Sequence, residues 1–351
     1  MEKRIEFLDY VRVAACFMVI VVHSCEFYFI DGSDIGIRNL TDGFWVSVFD
    51  SAFRCSVLLF VMISGYLLVP LREDAASFLR KRFRRVVVPF ALWSVLYATL
   101  PWLWRGMSGS EVGASLMRLA TNFNDASGHL WFVYMLLGLY LFMPVLSPWL
   151  AQAGRRAEQA FLALWFAASF FPYLRERVGD VFGECYWNEF NALWYFSGFI
   201  GYVVLAHYVR HHLRLSRRCA VVAGACLYAA GYLVTAVVWY GRIPTAASLQ
   251  QLELSWRFCT PNVIAMSLGA FILIRALAGD RSAPRAVRGI SVRSYGIYLM
   301  HIFVLGFVHS LFAGLLPTGV TIPLVGIVTF AACCVIARGL SYLPFSRYII
   351  G

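Results

Sequence analysis

Residues 8–27 read LDYVRVAACFMVIVVHSCEF, a stretch that is apolar enough to cross a bilayer although it carries Asp9, Arg12, His23 and Glu26. An arginine near the centre of a spanning helix costs roughly 2.5–3.5 kcal/mol on insertion scales, so such groups usually face a polar cavity and serve a function. Arg12 and His23 are eleven residues apart, which on a helix gives about 20° of rotation and about 16 Å of rise. They are therefore predicted to share one helix face at two membrane depths.

The rest of the chain has the composition of a polytopic membrane protein. Of its 351 residues 60% are hydrophobic and 14% are charged, whereas soluble domains carry about 25% charged residues. Apolar windows of about 20 residues predict ten spans, at 7–30, 46–70, 86–104, 130–150, 157–174, 192–209, 219–240, 258–278, 294–316 and 320–343. The fold expected is an all-α bundle of about ten transmembrane helices that forms a single domain, residues 1–351.

The basic residues predict the orientation of this bundle. If the N-terminus is cytoplasmic, 21 of the 30 Lys and Arg lie on the inner side and six on the outer side, as the positive-inside rule requires. Both termini are then cytoplasmic. No soluble basic domain holds the net charge of +11, so a nucleic-acid partner is not expected. The nine cysteines show no metal-ligand spacing and are predicted to be small buried hydrophobes, with no metal site.

The four polar residues of the first helix form two pairs at a spacing of three, which makes the members of each pair neighbours on the helix surface. Asp9 is expected to hold Arg12. Glu26 is expected to fix the tautomer of His23 and to raise its basicity, as the orienting acid does in a base–acid pair. The alternative is that these groups only join helices to one another.

The second predicted helix contains SAFRCSVLLFVMISGYLL, residues 51–68. It runs antiparallel to the first, so Arg54 is expected near the depth of His23, and Ser64 and Tyr66 near the depth of Arg12. Two polar layers at matching depths indicate a site that crosses the membrane. Alternatively, Arg54 extends to the outer interface and has no role in a site.

An inner loop, FLRKRFRRVVVPF at 78–90, concentrates positive charge. Such a run most often determines topology and touches anionic lipid. A more specific interpretation is a cationic entrance for a phosphorylated donor, because guanidinium groups bind phosphate through two hydrogen bonds. No GxxxxGK[ST] motif occurs, so nucleotide hydrolysis is not expected. Near the C-terminus, SYGIYLMH at 294–301 places Tyr298 and His301 one turn apart, where they are predicted to form a hydrogen-bonded pair.

Taken in order, these segments resemble the acyltransferase-3 family of integral membrane acyltransferases. The similarity lies in LDYVRVAACFMVIVVHS, the arginine before LLFVMISGYLL, FLRKRFRRVVVPF, HLWF at 129–132, LWYFSGFIGY at 193–202 and SYGIYLMHIF. It spans nearly the whole chain. The chain is most similar to compact members without an SGNH hydrolase-like domain, such as the O-acetyltransferase that acts on enterobacterial common antigen. Val57 replaces a proline of many relatives, which is expected to alter a kink and not the chemistry.

The resemblance implies an O-acyltransferase of the bacterial cytoplasmic membrane. Family members move an acetyl or longer acyl group from cytoplasmic acyl-CoA, a substrate and not a bound cofactor, to hydroxyls of extracytoplasmic glycans or lipid-linked sugars. The rival interpretation is a transporter or a component of glycan export. The implied partners are therefore acyl-CoA, a glycan or lipid-linked sugar and the bilayer.

The same resemblance assigns roles to single residues. Arg12 and His23 correspond to the family's motif arginine and histidine, Arg54 to its second-helix arginine, and Ser64, Gly65 and Tyr66 to its serine-glycine-tyrosine turn. His23 is expected to act as a general base or to carry the acyl group, with Arg12 or Arg54 stabilising negative charge; the role of Glu26 rests on spacing alone. The acyl-CoA site is predicted to comprise Arg80, Arg82, Arg84, Arg85, Ser64, Tyr66, Tyr298 and His301.

Overall fold

The chain folds almost entirely into helices. In this computed structural model residues 4–279 and 281–351 are described, except for the side chains of residues 104, 105 and 125, and 74% of the chain is helical. The α-helices are α1 (Phe7–Glu26), α2 (Leu40–Phe53), α3 (Ser56–Leu68), α4 (Ala75–Thr99), α5 (Trp102–Arg105), α6 (Gly109–Arg118), α7 (Trp131–Gln152), α8 (Arg155–Ala168), α9 (Phe171–Val178), α10 (Ile200–His211), α11 (Arg217–Arg242), α12 (Leu249–Leu252), α13 (Pro261–Ala278), α14 (Arg285–Val292), α15 (Ser294–Phe312), α16 (Thr318–Leu340) and α17 (Ser346–Ile349).

Short 3₁₀ segments occupy Asp125–Leu130, Trp194–Phe196 and Glu253–Trp256, and the strands β1 (Ile30–Asp31) and β2 (Asp34–Ile35) form an antiparallel hairpin after α1. In the described residues seven helical stretches are long and apolar enough to cross a membrane: Phe7–Glu26, Leu40–Leu68, Ala126–Gln152, Arg217–Arg242, Pro261–Ala278, Ser294–Phe312 and Thr318–Leu340. These seven stretches confirm a multi-pass helical membrane protein.

The three remaining predicted spans coincide with α4, α8 and α10. Helix α4 has 25 residues but a strongly basic beginning, and α8 and α10 have only 14 and 12 residues, fewer than the roughly 20 that a bilayer requires. The count of ten spans and the cytoplasmic position of both termini therefore remain predictions.

One predicted boundary was wrong. The window at 192–209 is helical only from Ile200, because Gly198 adopts a φ of 77° and the segment before it forms a 3₁₀ turn. The span predicted at 46–70 is confirmed as the stretch Leu40–Leu68, which contains a turn because α2 ends at Phe53 and α3 begins at Ser56. Between α4 and α7, Ser108 and Glu111 form a capping box that begins the short helix α6.

Helix α1 lies at the centre of the bundle. It packs against α2, α3, α13, α14, α15 and α16, and Val11 and Ala15 on its buried face are fully enclosed. Helix α16 approaches it closely because Gly326 has no side chain there: a Cβ atom on Gly326 would lie 2.8 Å from Cγ2 of Val21. The polar residues of α1 are thus held at the middle of the protein, where several helices converge on them.

Candidate active site

A cavity of about 500 Å³ opens beside the N-terminal half of α1, the half that the basic residues predict to be cytoplasmic. Helices α1, α3, α4, α7, α14 and α15 contribute its walls. Its charged and hydroxyl-bearing residues are Arg4, Asp9, Arg12, Ser64, Arg82, Arg85, Tyr140, Ser291, Ser294, Tyr295 and Tyr298, and the rest of the lining is apolar. A mixed wall of this kind suits a ligand that has anionic groups and an apolar arm.

Arg12 lines this cavity, and the protein does not use up the hydrogen-bonding capacity of its guanidinium group. Its neighbour Asp9 is buried and is held by Arg4, with Nε–Oδ2 2.7 Å and Nη2–Oδ1 2.8 Å, and by the hydroxyl of Ser291 at 2.6 Å. Nη1 of Arg12 lies 3.6 Å from Oδ1 of Asp9, an ion pair that is longer than a hydrogen bond. Asp9 therefore orients Arg12, while the N–H groups of Arg12 form no hydrogen bond to the described residues.

The basic segment at 78–90 is part of a helix, and the prediction of a loop was wrong. Asp74 caps α4 by accepting a hydrogen bond from the Ser77 N–H at 2.9 Å, and the helix continues through the whole segment. Arg82 and Arg85 share one face and line the cavity, where Nε of Arg82 is buried without a partner in the described residues. Residues 80 and 84 are exposed on other faces and do not line it.

The side chains of Ser64 and Tyr66 also point to different sides of their helix, because residues two apart on a helix differ by about 200° in direction. Ser64 lines the cavity. Tyr66 packs edge-on against Phe7, with ring centroids 5.4 Å apart, and beneath the guanidinium of Arg210 at 5.3 Å. Of this predicted pair, only Ser64 is exposed to a ligand in the cavity.

Tyr298 is a wall residue of the cavity. Its ring lies 5.6 Å from that of Phe132, another wall residue, and its hydroxyl donates a hydrogen bond to the backbone carbonyl of His129. The predicted side-chain bond between Tyr298 and His301 is wrong, because Nδ1 of His301 bonds to the backbone carbonyl of Tyr298 instead. His129 and His301 therefore both contact a residue of the cavity wall, since their ring centroids each lie 5.7 Å from that of Tyr298.

Three histidines meet there: His23 of α1, His129 before α7, and His301 of α15, here called the three-histidine cluster. The ring centroid of His301 lies 5.1 Å from that of His23 and 5.0 Å from that of His129, and the rings of His23 and His129 are 6.3 Å apart. In the described residues no group of His, Cys, Asp or Glu is arranged to hold a metal ion.

Within this cluster His23 alone has a carboxylate partner. Its Nδ1 lies 2.8 Å from Oε1 of Glu26, at the spacing of three residues that the sequence suggested. A carboxylate accepts only, so Nδ1 carries the proton and Nε2 is left with the lone pair. The side chain of Glu26 is 39% exposed and that of His23 16% exposed, so the pair is accessible at the C-terminal end of α1, the end that the basic residues predict to be extracytoplasmic.

The chain was also compared with known proteins. A family model described as an acyltransferase domain matches residues 5–338. The chain belongs to the acyltransferase-3 family. A comparison with curated proteins and one with solved structures gave no significant match, so the predicted likeness to one particular member stays a prediction. Family membership and the seven apolar helices together establish a multi-pass membrane acyltransferase.

Arg54 of this acyltransferase lies apart from the three-histidine cluster. It donates two hydrogen bonds to Asp50, one turn earlier on α2, and its guanidinium lies 4.0 Å above the ring of Trp256. Asp50, fully buried, was not identified from the sequence, although its spacing of four from Arg54 is visible there.

Glu253 links Arg54 to Glu26 electrostatically. Burial raises the pKa of the Glu253 carboxyl, Arg54 opposes that rise, and Glu26 adds to it. Arg54 therefore acts on the same outer group of acidic residues that includes the partner of His23.

Proposed function

We propose that this acyltransferase transfers an acetyl group from cytoplasmic acetyl-CoA to a hydroxyl of an extracytoplasmic glycan or lipid-linked sugar. One observation carries the proposal: Tyr298 lines the arginine-containing cavity and contacts His301, and the ring of His301 lies 5.1 Å from that of His23, the partner of Glu26. A donor in the cavity and an acceptor arriving from the outer end of α1 would meet at His23.

The part of the cavity lined by Arg82 and Arg85 is suited to bind the phosphate groups of the donor. Arg82 and Arg85 present guanidinium groups at the cavity wall, and the unpartnered Nε of Arg82 has an unused N–H. Guanidinium binds phosphate oxygens through charge-assisted hydrogen bonds, which are roughly twice as strong as neutral ones. In the proposed complex these two residues hold the phosphates of CoA, and Arg12 lies further along, towards the thioester.

The His23–Glu26 pair is suited to proton transfer or to nucleophilic attack. Because Glu26 holds the proton on Nδ1 of His23, Nε2 is the basic atom. A correctly placed base of this kind contributes about 10²–10⁴-fold to a rate. Arg12 stabilises negative charge on the donor side, and Arg54 balances the charge of Glu26.

His23→Gln tests this function. We expect the purified variant to insert and remain monodisperse in detergent but to lose acetyl transfer by about 10²-fold or more. Mass spectrometry of envelope glycans from cells with the wild-type protein, the variant or neither would identify both the acyl mass and the modified sugar. His309→Gln, on the same helix as His301 and stacked on Phe27, is the matched control.

Transfer at the wild-type rate by His23→Gln would contradict the assignment of His23. If wild-type protein in vesicles moved a glycan across the membrane without consuming acetyl-CoA, a transport function would replace the proposed one.

A further inference from the structure

Two members of the three-histidine cluster contain polar atoms that the protein leaves unsatisfied. Nε2 of His301 and both ring nitrogens of His129 are buried with no hydrogen-bond partner in the described residues. His301 is fully buried and His129 nearly so. Burying a polar group without a hydrogen-bond partner is destabilising, and each such group in a native structure needs an explanation. A polar reactant that occupies the cluster during the reaction supplies one.

The hydrogen bonds also determine which atoms of the cluster are basic. The Tyr298 carbonyl accepts the proton of His301 Nδ1, just as Glu26 accepts that of His23 Nδ1. Each neutral imidazole has one N–H and one lone pair, so both histidines keep the lone pair on Nε2. Two basic nitrogens thus stand on rings whose centroids are 5.1 Å apart.

We propose that His301 is a second catalytic base, which takes the proton of the acceptor hydroxyl through Nε2 while His23 carries the acyl group. This proposal rests on the proposed function. Direct transfer from acyl-CoA to the hydroxyl requires only one base. A relay requires two, because the lone pair of His23 is bonded to the acyl carbon when the acceptor arrives.

In the first step Nε2 of His23 attacks the thioester carbonyl, the C–S bond breaks, and the electron pair leaves with the CoA thiolate. The product is an acyl-imidazolium whose Nδ1–H stays on the Glu26 carboxylate. In the second step the acceptor oxygen attacks the acyl carbon as Nε2 of His301 takes its proton. The C–N bond breaks and its electron pair returns to Nε2 of His23, and the proton on His301 finally neutralises the thiolate.

The two steps are separable in a single-turnover experiment. Without acceptor, wild-type protein and His301→Gln are both expected to release CoA stoichiometrically from acetyl-CoA. After removal of free acetyl-CoA, which itself reacts with hydroxylamine, both proteins should yield acetyl hydroxamate when treated with hydroxylamine. His23→Gln should do neither. As the acceptor probe we would use total envelope glycan from cells that lack the protein, freed of O-acetyl groups by mild base.

With that probe His301→Gln is expected to transfer about 10²-fold more slowly than wild type and to lose the pH dependence of the transfer step. Free imidazole should restore part of the rate in His301→Ala by entering the space left by the ring. His309→Gln should behave as wild type.

Two results would overturn the role of His301: transfer at the wild-type rate by His301→Gln, or loss of CoA release along with transfer in a monodisperse variant. If wild-type protein released CoA only when acceptor was present, the relay and with it the role of His301 would also be refuted. Failure to release CoA even with acceptor would instead refute the proposed function.

Discussion

At the scale of single residues, the contact between His23 and Glu26 is the one on which the proposed chemistry depends most directly. The carboxylate selects the tautomer of the imidazole, and the tautomer decides which nitrogen faces a reactant. Arg12 shows the complementary situation. Asp9 is occupied by Arg4 and Ser291, so the guanidinium of Arg12 keeps hydrogen-bonding capacity for a ligand.

Glu26→Gln is expected to lower the transfer rate by at least about tenfold while KM for acetyl-CoA changes little. The amide either donates to Nδ1 or accepts weakly from it, so the useful tautomer is no longer enforced. Steady-state kinetics with acetyl-CoA as the varied substrate measures both values. Glu26→Asp, which keeps the charge, serves as the comparison. A fall confined to KM would show that Glu26 contributes to binding and not to the chemistry.

At the scale of helices, the register of α4 decides which cationic residues reach the cavity. Arg82 and Arg85 are three residues apart and share a face, whereas residues 80 and 84 point elsewhere. The positive charge of the segment is evident from the sequence. Which two arginines reach the cavity depends on the helical conformation of the segment.

Arg82→Gln is therefore expected to raise KM for acetyl-CoA about tenfold or more, since a hydrogen bond to a charged group contributes about 1.5–3 kcal/mol. Arg80→Gln removes the same charge from another face and should change KM by less than about twofold. The dependence of KM on salt should weaken mainly in the Arg82 variant. Equal effects of both substitutions would mean that the net charge of the segment matters and the cavity contact does not.

Close helix packing explains the glycine between Ser64 and Tyr66. A Cβ atom on Gly65 would lie 2.7 Å from Cα of Val203, so α3 and α10 touch at this point. Gly65→Ala is expected to destabilise the protein by about 1–3 kcal/mol, as overpacking does, and to lower its thermal unfolding temperature in detergent. At Gly113, within the exposed helix α6, an added Cβ meets no atom within 4 Å, so Gly113→Ala should be neutral or stabilising. Unchanged stability of Gly65→Ala would show that α10 can move away.

At the scale of the whole molecule, the proposed reaction requires an inner donor and an outer acceptor, and hence the orientation that the basic residues predict. The cavity lies beside the N-terminal half of α1, and the His23–Glu26 pair lies at the C-terminal end of the same helix.

Two native cysteines test that orientation. Cys185 and Cys219 are both exposed, and the predicted topology puts the first outside and the second in the cytoplasm. A membrane-impermeant maleimide should label Cys185 in intact spheroplasts, and Cys219 only after permeabilisation. Cys185→Ser and Cys219→Ser identify the labelled positions by mass spectrometry. Labelling of Cys219 in intact spheroplasts would show the inverted orientation.

The sequence by itself determined those features that depend on local spacing or on apolar content. The seven stretches that are long and apolar enough to span a membrane were predictable, because a run of about 20 apolar residues can be recognised from the sequence alone. The approach of Glu26 to His23 was predictable because residues three apart are neighbours on any helix. The family was evident from the order of its motifs.

Only the tertiary structure decided which side chains of different helices contact one another. His129 and His301 join His23 because α7 and α15 pack beside α1, and nothing in the spacing of these residues along the chain encodes that meeting. The hydrogen bond from Ser291 to Asp9 also joins two helices, α14 and α1. It occupies an oxygen of Asp9 that Arg12 approaches only to 3.6 Å. Contacts between helices depend on how side chains of distant segments fill space together, and a pattern read along one segment does not contain that information.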